Sequence, residues 1–396
     1  MTREELTYKL SKSTASNYIL QLPTGYGKTK ISLDKTKEWI GKDSKILIVV
    51  PRLNNMKEWK KEIAKWGFDN ILSMITFTTY VSFPKYCSPE IRWNTVIFDE
   101  GHHTSERCRD AMIGLNTQHI IVLSATLKKE HVDYFRRLSN MEIIKVNAKD
   151  AIESGVLPNP RIILIPLTLD NSVANCIIEK NIKKTTNPAT IKVIGFSQKW
   201  EYRKYKGPLR ITCTAQQYYN DCSNLIDWYK QKGMYNAVMK NIWLHKAGER
   251  LKWLAKHKEN VIKDLLRQLR NYRVLTFCQS IEQSETLGCP CVNSKVGLAS
   301  LDLFNSKRIK HIAAVEILDE GANLAECKIG LFQMINSSQR MSLQRIGRIL
   351  RHNEPVLIFP YWMHTREEKI INELIKGYDS ELIVRVNTVG NIKNYI

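Results

Sequence analysis

The residues with the clearest chemistry lie near the start of the sequence, in a glycine-containing loop. The loop follows an apolar run and precedes a segment with helical spacing of apolar residues. In such a turn, glycines let backbone N–H groups surround phosphate oxygens, a lysine supplies a cation, and a threonine hydroxyl can ligate Mg²⁺. Leu22 replaces the usual first glycine, so a purely structural turn is the alternative. The candidate nucleotide-binding residues are Thr24, Gly25, Gly27, Lys28 and Thr29.

Two acidic residues, Asp99 and Glu100, end a second apolar run at 94–98. The ends of parallel strands meet at one edge of a sheet, so we expect this pair to face the loop that carries Lys28. Asp99 would then hold Mg²⁺, mainly through its waters, and Glu100 would polarise the attacking water. The alternative is that the two carboxylates cap the following helix.

A third group of polar residues lies near the end of the sequence. Gln344, Arg348 and Arg351 are spaced at i, i+4 and i+7, which places them on one face of a helix. The spacing predicts that this face meets a ligand or a neighbouring domain, and the alternative is a solvated basic helix. Three apolar residues of the same segment are predicted to turn inward: Ile346, Ile349 and Leu350.

The elements that must position these residues follow one repeated pattern, an apolar run, a turn and a helical segment. This pattern is typical of a parallel α/β sheet. A proline-containing stretch at 155–160 predicts a linker between two such units, 1–155 and 161–396. Strands are predicted at 18–22, 45–50, 95–98, 119–123 and 142–146, and then at 161–169, 274–278, 312–315, 328–332 and 356–360.

The second unit is interrupted by a basic insert at about 172–258. It holds 17 Lys and Arg against 5 Asp and Glu, and its segments 216–232 and 237–258 are predicted to be helical. The aromatic residues of these two helical segments are predicted to lie in the core: Trp228, Tyr229, Trp243 and Trp253. Arg203, Lys204 and Lys206 alternate with aromatic side chains, which predicts either a nucleic-acid grip or an ordinary β-hairpin.

The composition limits the partners of the protein. A net charge of +21 over 396 residues favours a polyanion such as nucleic acid. The longest apolar runs are too short to span a bilayer, which predicts no membrane partner. The nine scattered cysteines predict reduced thiols, and we expect a cytoplasmic location, in the host if the source is a phage, with a monomer as the favoured state.

The motifs, taken in order, resemble those of the superfamily 2 DExH-type helicases. Segments 24–29, 99–102, 124–126 and 344–351 are similar to motifs I, II, III and VI. Weaker similarities place 49–52 at motif Ia, 76–80 at Ib, 274–280 at IV and 319–324 at V. The residue patterns of motifs V and VI most resemble those of phage branch-migration DNA helicases and XPB-like proteins.

The resemblance implies two tandem RecA-like domains that share ATP and Mg²⁺. It makes Lys28 and Thr29 phosphate and metal ligands, with Arg348 and Arg351 as arginine fingers and Gln344 as a sensor of the γ-phosphate. The remaining residues are assigned by motif position: His102, Ser124 and Thr126 to coupling, Gly321 and Asn323 to the nucleotide, and Arg52 and Thr79 to nucleic acid.

The resulting expectation is an ATP-dependent DNA helicase or translocase that acts on duplex, forked or branched DNA in replication, recombination or repair. Two alternatives remain open. One is an RNA helicase, and the other is an ATP-gated clamp or motor subunit that holds nucleic acid without unwinding it.

Overall fold

Two parallel sheets, each covered by helices, form the framework of the molecule. The computed structural model describes residues 1–182, 207–315, 324, 327–335, 345–347 and 349–396. The first sheet contains β1 (Asn17–Gln21), β2 (Ile46–Val50), β3 (Ile75–Thr79), β4 (Trp93–Asp99), β5 (Thr117–Ser124) and β6 (Glu142–Lys145). Its strand order is β3-β2-β4-β5-β1-β6, and all of its pairs are parallel.

The second half of the chain contributes β7 (Arg161–Leu167), β8 (Cys176–Ile182), β9 (Gly207–Cys213), β10 (Val274–Phe277), β11 (Cys291–Val292), β12 (His311–Ala314), β13 (Ile329–Phe332), β14 (Val356–Trp362) and β15 (Ile383–Arg385). The second sheet has seven of these strands in the order β11-β12-β10-β13-β14-β7-β15. The strands β8 and β9 pair with each other as a separate two-stranded antiparallel sheet.

Helices pack on the sheets because both faces of a parallel sheet are apolar; every residue of β2, for example, is buried. The helices of the first half are α1 (Arg3–Lys12), α2 (Lys28–Trp39), α3 (Leu53–Lys65), α4 (Glu106–Ala111), α5 (Lys129–Leu138) and α6 (Ala148–Glu153). Those of the second half are α7 (Ala215–Gly233), α8 (Ala237–His257), α9 (Glu259–Gln268), α10 (Ile281–Thr286), α11 (Ala299–Asn305) and α12 (Arg366–Ile375).

These are the two parallel-sheet α/β domains of the expected RecA-like architecture. Each apolar run predicted as a strand overlaps one, and the two helices predicted in the insert are α7 and α8. The predicted linker at 155–160 lies between β6 and β7, while the exact limits of the two units stay a prediction. One expectation is wrong: Trp228 on α7 is 41% exposed instead of lying in the core.

The helical pair α7 and α8 is attached to the second sheet through a buried ion pair. Lys258, directly after α8, places its Nζ 2.7 Å from Oε1 of Glu367 on α12, and both side chains are almost completely buried. The same Nζ donates to the carbonyl of Pro360 at 3.1 Å, and Trp362 Nε1 donates to the carbonyl of Leu254 at 3.0 Å. This end of the insert is therefore fixed to the strand β14.

Candidate nucleotide site

The loop between β1 and α2 has the geometry of a phosphate-binding turn. Gly25 and Gly27 both adopt left-handed backbone conformations, with φ of 88° and 98°. Side chains with a Cβ rarely adopt such angles, so these two positions require glycine. Lys28 and Thr29 are the first residues of α2, whose N-terminal N–H groups and helix dipole favour an anion.

Arg3 of α1 holds the outer side of this loop. Its guanidinium donates to the carbonyl of Tyr26 at 2.8 Å and to that of Gly25 at 3.0 Å. The Tyr26 hydroxyl in turn donates to the carbonyl of Met1 at 2.8 Å. With these carbonyls engaged by α1, the conformation of the loop is fixed.

The carboxylates of Asp99 and Glu100 end β4, two strands away from β1. Glu100 has a left-handed backbone with φ of 51°, a conformation that is uncommon for a residue with a side chain and is typical of strained functional positions. Its Oε1 lies 3.2 Å from Nζ of Lys28, with both side chains largely buried. The lysine of the phosphate loop therefore pairs with this carboxylate.

His102 and Ser124 contact the other oxygen of Glu100. His102 Nδ1 lies 3.3 Å from Glu100 Oε2 and 3.2 Å from Ser124 Oγ, and Ser124 Oγ lies 3.4 Å from the same carboxylate oxygen. Ser124 also donates to the carbonyl of Thr126 at 3.0 Å. The three residues of motifs II and III thus form one hydrogen-bonded network with Glu100.

Asp99 has different partners. The indole Nε1 of Trp59 donates to its Oδ2 at 2.9 Å, and the Tyr80 hydroxyl donates to its backbone carbonyl at 2.8 Å. Burial, followed by the neighbouring Glu100 charge, raises the pKa of Asp99 to about 6. Burial acts in the same direction on Glu100, but Lys28 and His102 outweigh it and lower its pKa to about 2. Glu100 is therefore a carboxylate at neutral pH.

A cavity of about 1020 Å³ joins the phosphate loop, both carboxylates and Arg351 of the second domain. Glu58 and Glu62 of α3 also line it, and their negative charges favour the charged form of the exposed Arg351 side chain. The exposed ring of Tyr8 on α1 lies on the same cavity. The space is large enough for a nucleotide with its phosphates on the helix α2.

The structure brings most of the predicted nucleotide residues together. The cavity is lined by Thr24, Gly25, Gly27, Lys28, Thr29, Asp99, Glu100 and Arg351. Arg52 lies just after β2, and Thr79 is the last residue of the neighbouring strand β3. Both therefore lie at the same edge of the sheet as the carboxylates. The other predicted site residues lie outside the described part of the chain: Arg203, Lys204, Lys206, Gly321, Asn323, Gln344 and Arg348.

Two contacts of the site were not predicted from the sequence, those of Trp59 and Arg3. Trp59 shares a buried helix face with Asn55 and Ile63, so its spacing indicates only a core position. Arg3 belongs to a short polar helix whose charges carry no motif. No local signal could have found either contact, because each depends on how a helix crosses the phosphate-loop edge of the sheet.

The residues present fit a magnesium ion. Mg²⁺ prefers oxygen ligands and keeps several of its waters. The Thr29 hydroxyl and the Asp99 carboxylate line one cavity beside the phosphate loop, and they supply oxygen donors of this kind. Thr29 and Asp99 are therefore the candidate residues to hold the ion.

Comparison with known proteins agrees with this geometry. Residues 3–129 match the family described as type III restriction enzyme, res subunit. The DNA 3'-5' translocase XPB2 of Sulfurisphaera tokodaii is 24% identical over 360 residues, which are 85% of this chain and 75% of that protein. These matches support the assignment of the chain to the superfamily 2 helicases and translocases, which are nucleic-acid-dependent ATPases.

Two solved structures share the fold of this chain. The helicase domain of Pyrococcus furiosus Hef has a TM-score of 0.51 at 14% identity, covering 93% of this chain and 97% of its own. S. cerevisiae Dbp5 bound to RNA and ADP BeF3 has a TM-score of 0.60 at 11% identity, covering 99% and 90%. None of the described helices is long and apolar enough to cross a membrane.

Proposed function

We propose that this superfamily 2 protein is an ATP-dependent DNA translocase or helicase that remodels duplex, forked or branched DNA in replication, recombination or repair. The observation that carries the proposal is the shared cavity, in which Lys28 and Glu100 of the first domain face Arg351 of the second. A nucleotide in this cavity would contact both domains, so its hydrolysis would change how they are held together.

The residues of the chain have separate tasks in this scheme. Lys28 leaves Glu100 to bind the β- and γ-phosphates, and Glu100, held by His102 and Ser124, accepts hydrogen bonds from the attacking water. Mg²⁺, when bound at Thr29 and Asp99, neutralises phosphate charge. Arg351 stabilises the negative charge that develops on the γ-phosphate.

One observation favours nucleic acid as the substrate, and a second favours DNA. The net charge of +21 suits a polyanion, and the similar XPB2 of Sulfurisphaera tokodaii is described as a DNA translocase. Arg52 and Thr79, at the edge of the first sheet, and Arg203, Lys204 and Lys206 of the insert are the proposed backbone contacts. Phosphate contacts of this kind grip DNA without reading its sequence.

Parallel assays on matched substrates test the proposal. ATP turnover and strand displacement would be measured with forked DNA, a Holliday junction and duplex RNA of the same sequence, and Lys28→Ala would serve as the ATPase-deficient control. We expect stimulation and displacement with DNA only. Activity confined to RNA would favour the RNA helicase, and DNA-stimulated turnover without displacement of a strand from either DNA substrate would favour the clamp.

A further inference from the structure

A tryptophan outside the predicted motifs contacts the candidate magnesium ligand. Trp59 is 3% exposed, and its indole Nε1 lies 2.9 Å from Oδ2 of Asp99. An indole can only donate a hydrogen bond, so the contact orients the carboxylate without neutralising it. One oxygen of Asp99 is thus fixed by the protein, which sets the direction of the other.

The two neighbouring carboxylates are held by chemically different groups. Glu100 contacts Lys28, His102 and Ser124, whereas the side chain of Asp99 contacts the neutral Trp59. A charge-assisted hydrogen bond from a neutral donor leaves the negative charge in place. Asp99 is therefore oriented and still able to attract a cation.

Both aromatic partners of Asp99 lie on segments that adjoin residues predicted to contact nucleic acid. Trp59 belongs to α3, which begins directly after Arg52, and Tyr80 follows Thr79 at the end of β3. Tyr80 is buried, and its hydroxyl donates to the backbone carbonyl of Asp99 at 2.8 Å. A shift of either segment would therefore be transmitted to Asp99 through a direct hydrogen bond.

We propose that Trp59 is a positioning residue for the magnesium-binding carboxylate of Asp99, and that it links this carboxylate to nucleic acid bound beside α3. The inference rests on the proposed function, because it requires Asp99 to hold Mg²⁺. The competing interpretation is that Trp59 only fills space in the core. The two interpretations differ in whether the indole N–H of Trp59 contributes to Mg²⁺ binding.

Trp59→Phe separates the two roles, because phenylalanine keeps most of the ring but cannot donate a hydrogen bond. The dissociation constant of a fluorescent ADP analogue would be measured with Mg²⁺ and with EDTA. We expect the gain in affinity from Mg²⁺ to fall by about three- to tenfold, since a hydrogen bond to a charged group is at stake. Affinity in EDTA should not change.

Trp93→Phe is the matched control. Trp93 begins β4 and is 4% exposed, and its Nε1 donates to the carbonyl of Tyr86 at 3.1 Å, away from the residues that line the nucleotide cavity. This variant should keep the wild-type gain from Mg²⁺. If folded Trp59→Phe also keeps that gain, the positioning role is wrong. If wild-type protein shows no gain, the proposed function fails instead.

A second measurement does not depend on folding of the Trp59 variant. Wild-type protein labelled with 5-fluorotryptophan would give ¹⁹F resonances from its nine tryptophans, and Asp99→Ala would identify the one from Trp59 by displacing it. We expect this resonance to shift on addition of Mg²⁺ with ADP, and on addition of forked DNA alone. A resonance that Mg²⁺ with ADP leaves in place would overturn the positioning role, and one that DNA leaves in place would overturn the link.

Discussion

Gly347 of the second domain packs directly on Thr24 at the start of the phosphate loop. A Cβ atom built on Gly347 would lie 2.5 Å from Cβ of Thr24 and 3.2 Å from its carbonyl oxygen. Real Cβ atoms do not approach so closely, so any side chain at 347 must displace the loop or the domain. The contact therefore ties the nucleotide loop of one domain to the segment of the other that leads to Arg351.

Gly347→Ala is expected to disturb this contact between the domains. Overpacking of this kind typically costs about 1–3 kcal/mol, so the melting temperature and ATP turnover should both fall. Gly248→Ala in α8 is the matched control, because its new Cβ would meet nothing within 4 Å and a helical alanine is more favourable than glycine. Wild-type stability and turnover in Gly347→Ala would mean that the domains are not in contact here in solution.

Glu100→Gln should abolish steady-state ATP hydrolysis and preserve nucleotide binding. The amide keeps the shape of the side chain but cannot polarise water as a carboxylate does. Lys28→Ala, in contrast, should weaken nucleotide binding itself, because it removes the phosphate cation. Turnover and equilibrium binding of a fluorescent ATP analogue distinguish the two variants, and wild-type turnover in folded Glu100→Gln would refute the assigned role.

The sequence predicts the strand ends of this site well and the contacts between elements poorly. Runs such as Ile46–Val50 are apolar throughout because both faces of the sheet are covered, and this signal is local. The strand β3 (Ile75–Thr79) has three threonines and no such run, and β15 is only three residues long, so neither was predicted as a strand.

The partners of the two carboxylates are a harder problem. The hydrogen bond between Trp59 and Asp99 joins residues 40 positions apart, and it depends on where α3 crosses the sheet. At Trp228 the error is the opposite one, a contact that was predicted and does not form. Aromatic residues at helical spacing usually pack in the core, but this side chain is 41% exposed on α7. Periodicity indicates that a face is apolar without indicating what covers it.

Asp99 should reduce the stability of the nucleotide-free protein at neutral pH. Burial and Glu100 raise its pKa from 3.8 to about 6. A raised pKa in the folded state means that folding favours the protonated form of Asp99. The stability contributed by protonated Asp99 is therefore fully present below about pH 4 and is lost as the pH rises through 6. The penalty at pH 7.5 is about 3 kcal/mol at most, because one unit of pKa corresponds to about 1.4 kcal/mol.

Asp99→Asn tests the direction of this pH dependence, because its amide oxygen can still accept the hydrogen bond from Trp59. Without Mg²⁺ or nucleotide, we expect the variant to melt at a higher temperature than wild type at pH 7.5, and the difference to vanish near pH 4. Asp43→Asn, which changes an exposed residue, should show no such dependence. A difference that stays constant across this range would argue against a raised pKa.

Breaking the buried ion pair of Lys258 and Glu367 should reduce the folding stability more than breaking an exposed pair. Lys258→Met leaves Glu367 buried without its cation and is expected to cost about 3–5 kcal/mol in urea denaturation. The double replacement with Glu367→Leu should recover much of this loss. Lys263→Met breaks a pair with Glu259 that is partly exposed, and it should cost less than about 1 kcal/mol. Equal losses for the two lysines would contradict the role of burial.

Arg351→Ala should lower DNA-stimulated turnover far more than nucleotide affinity. Its guanidinium lies on the nucleotide cavity, and Glu58 and Glu62 favour its charged form. An arginine that reaches the γ-phosphate mainly in the transition state contributes a factor of about 10³ or more to turnover and little to ground-state binding.

The measurement compares turnover with the dissociation constant of a nonhydrolysable ATP analogue. Arg267→Ala is the control, because Arg267 is an exposed arginine on α9 that pairs with Asp264. Arg351→Lys should recover only part of the turnover, since an ammonium cannot make the two parallel hydrogen bonds of a guanidinium. If Arg351→Ala instead lost nucleotide affinity and kept its turnover number, the residue would be a static phosphate clamp, and closure of the two domains would not be coupled to hydrolysis through it.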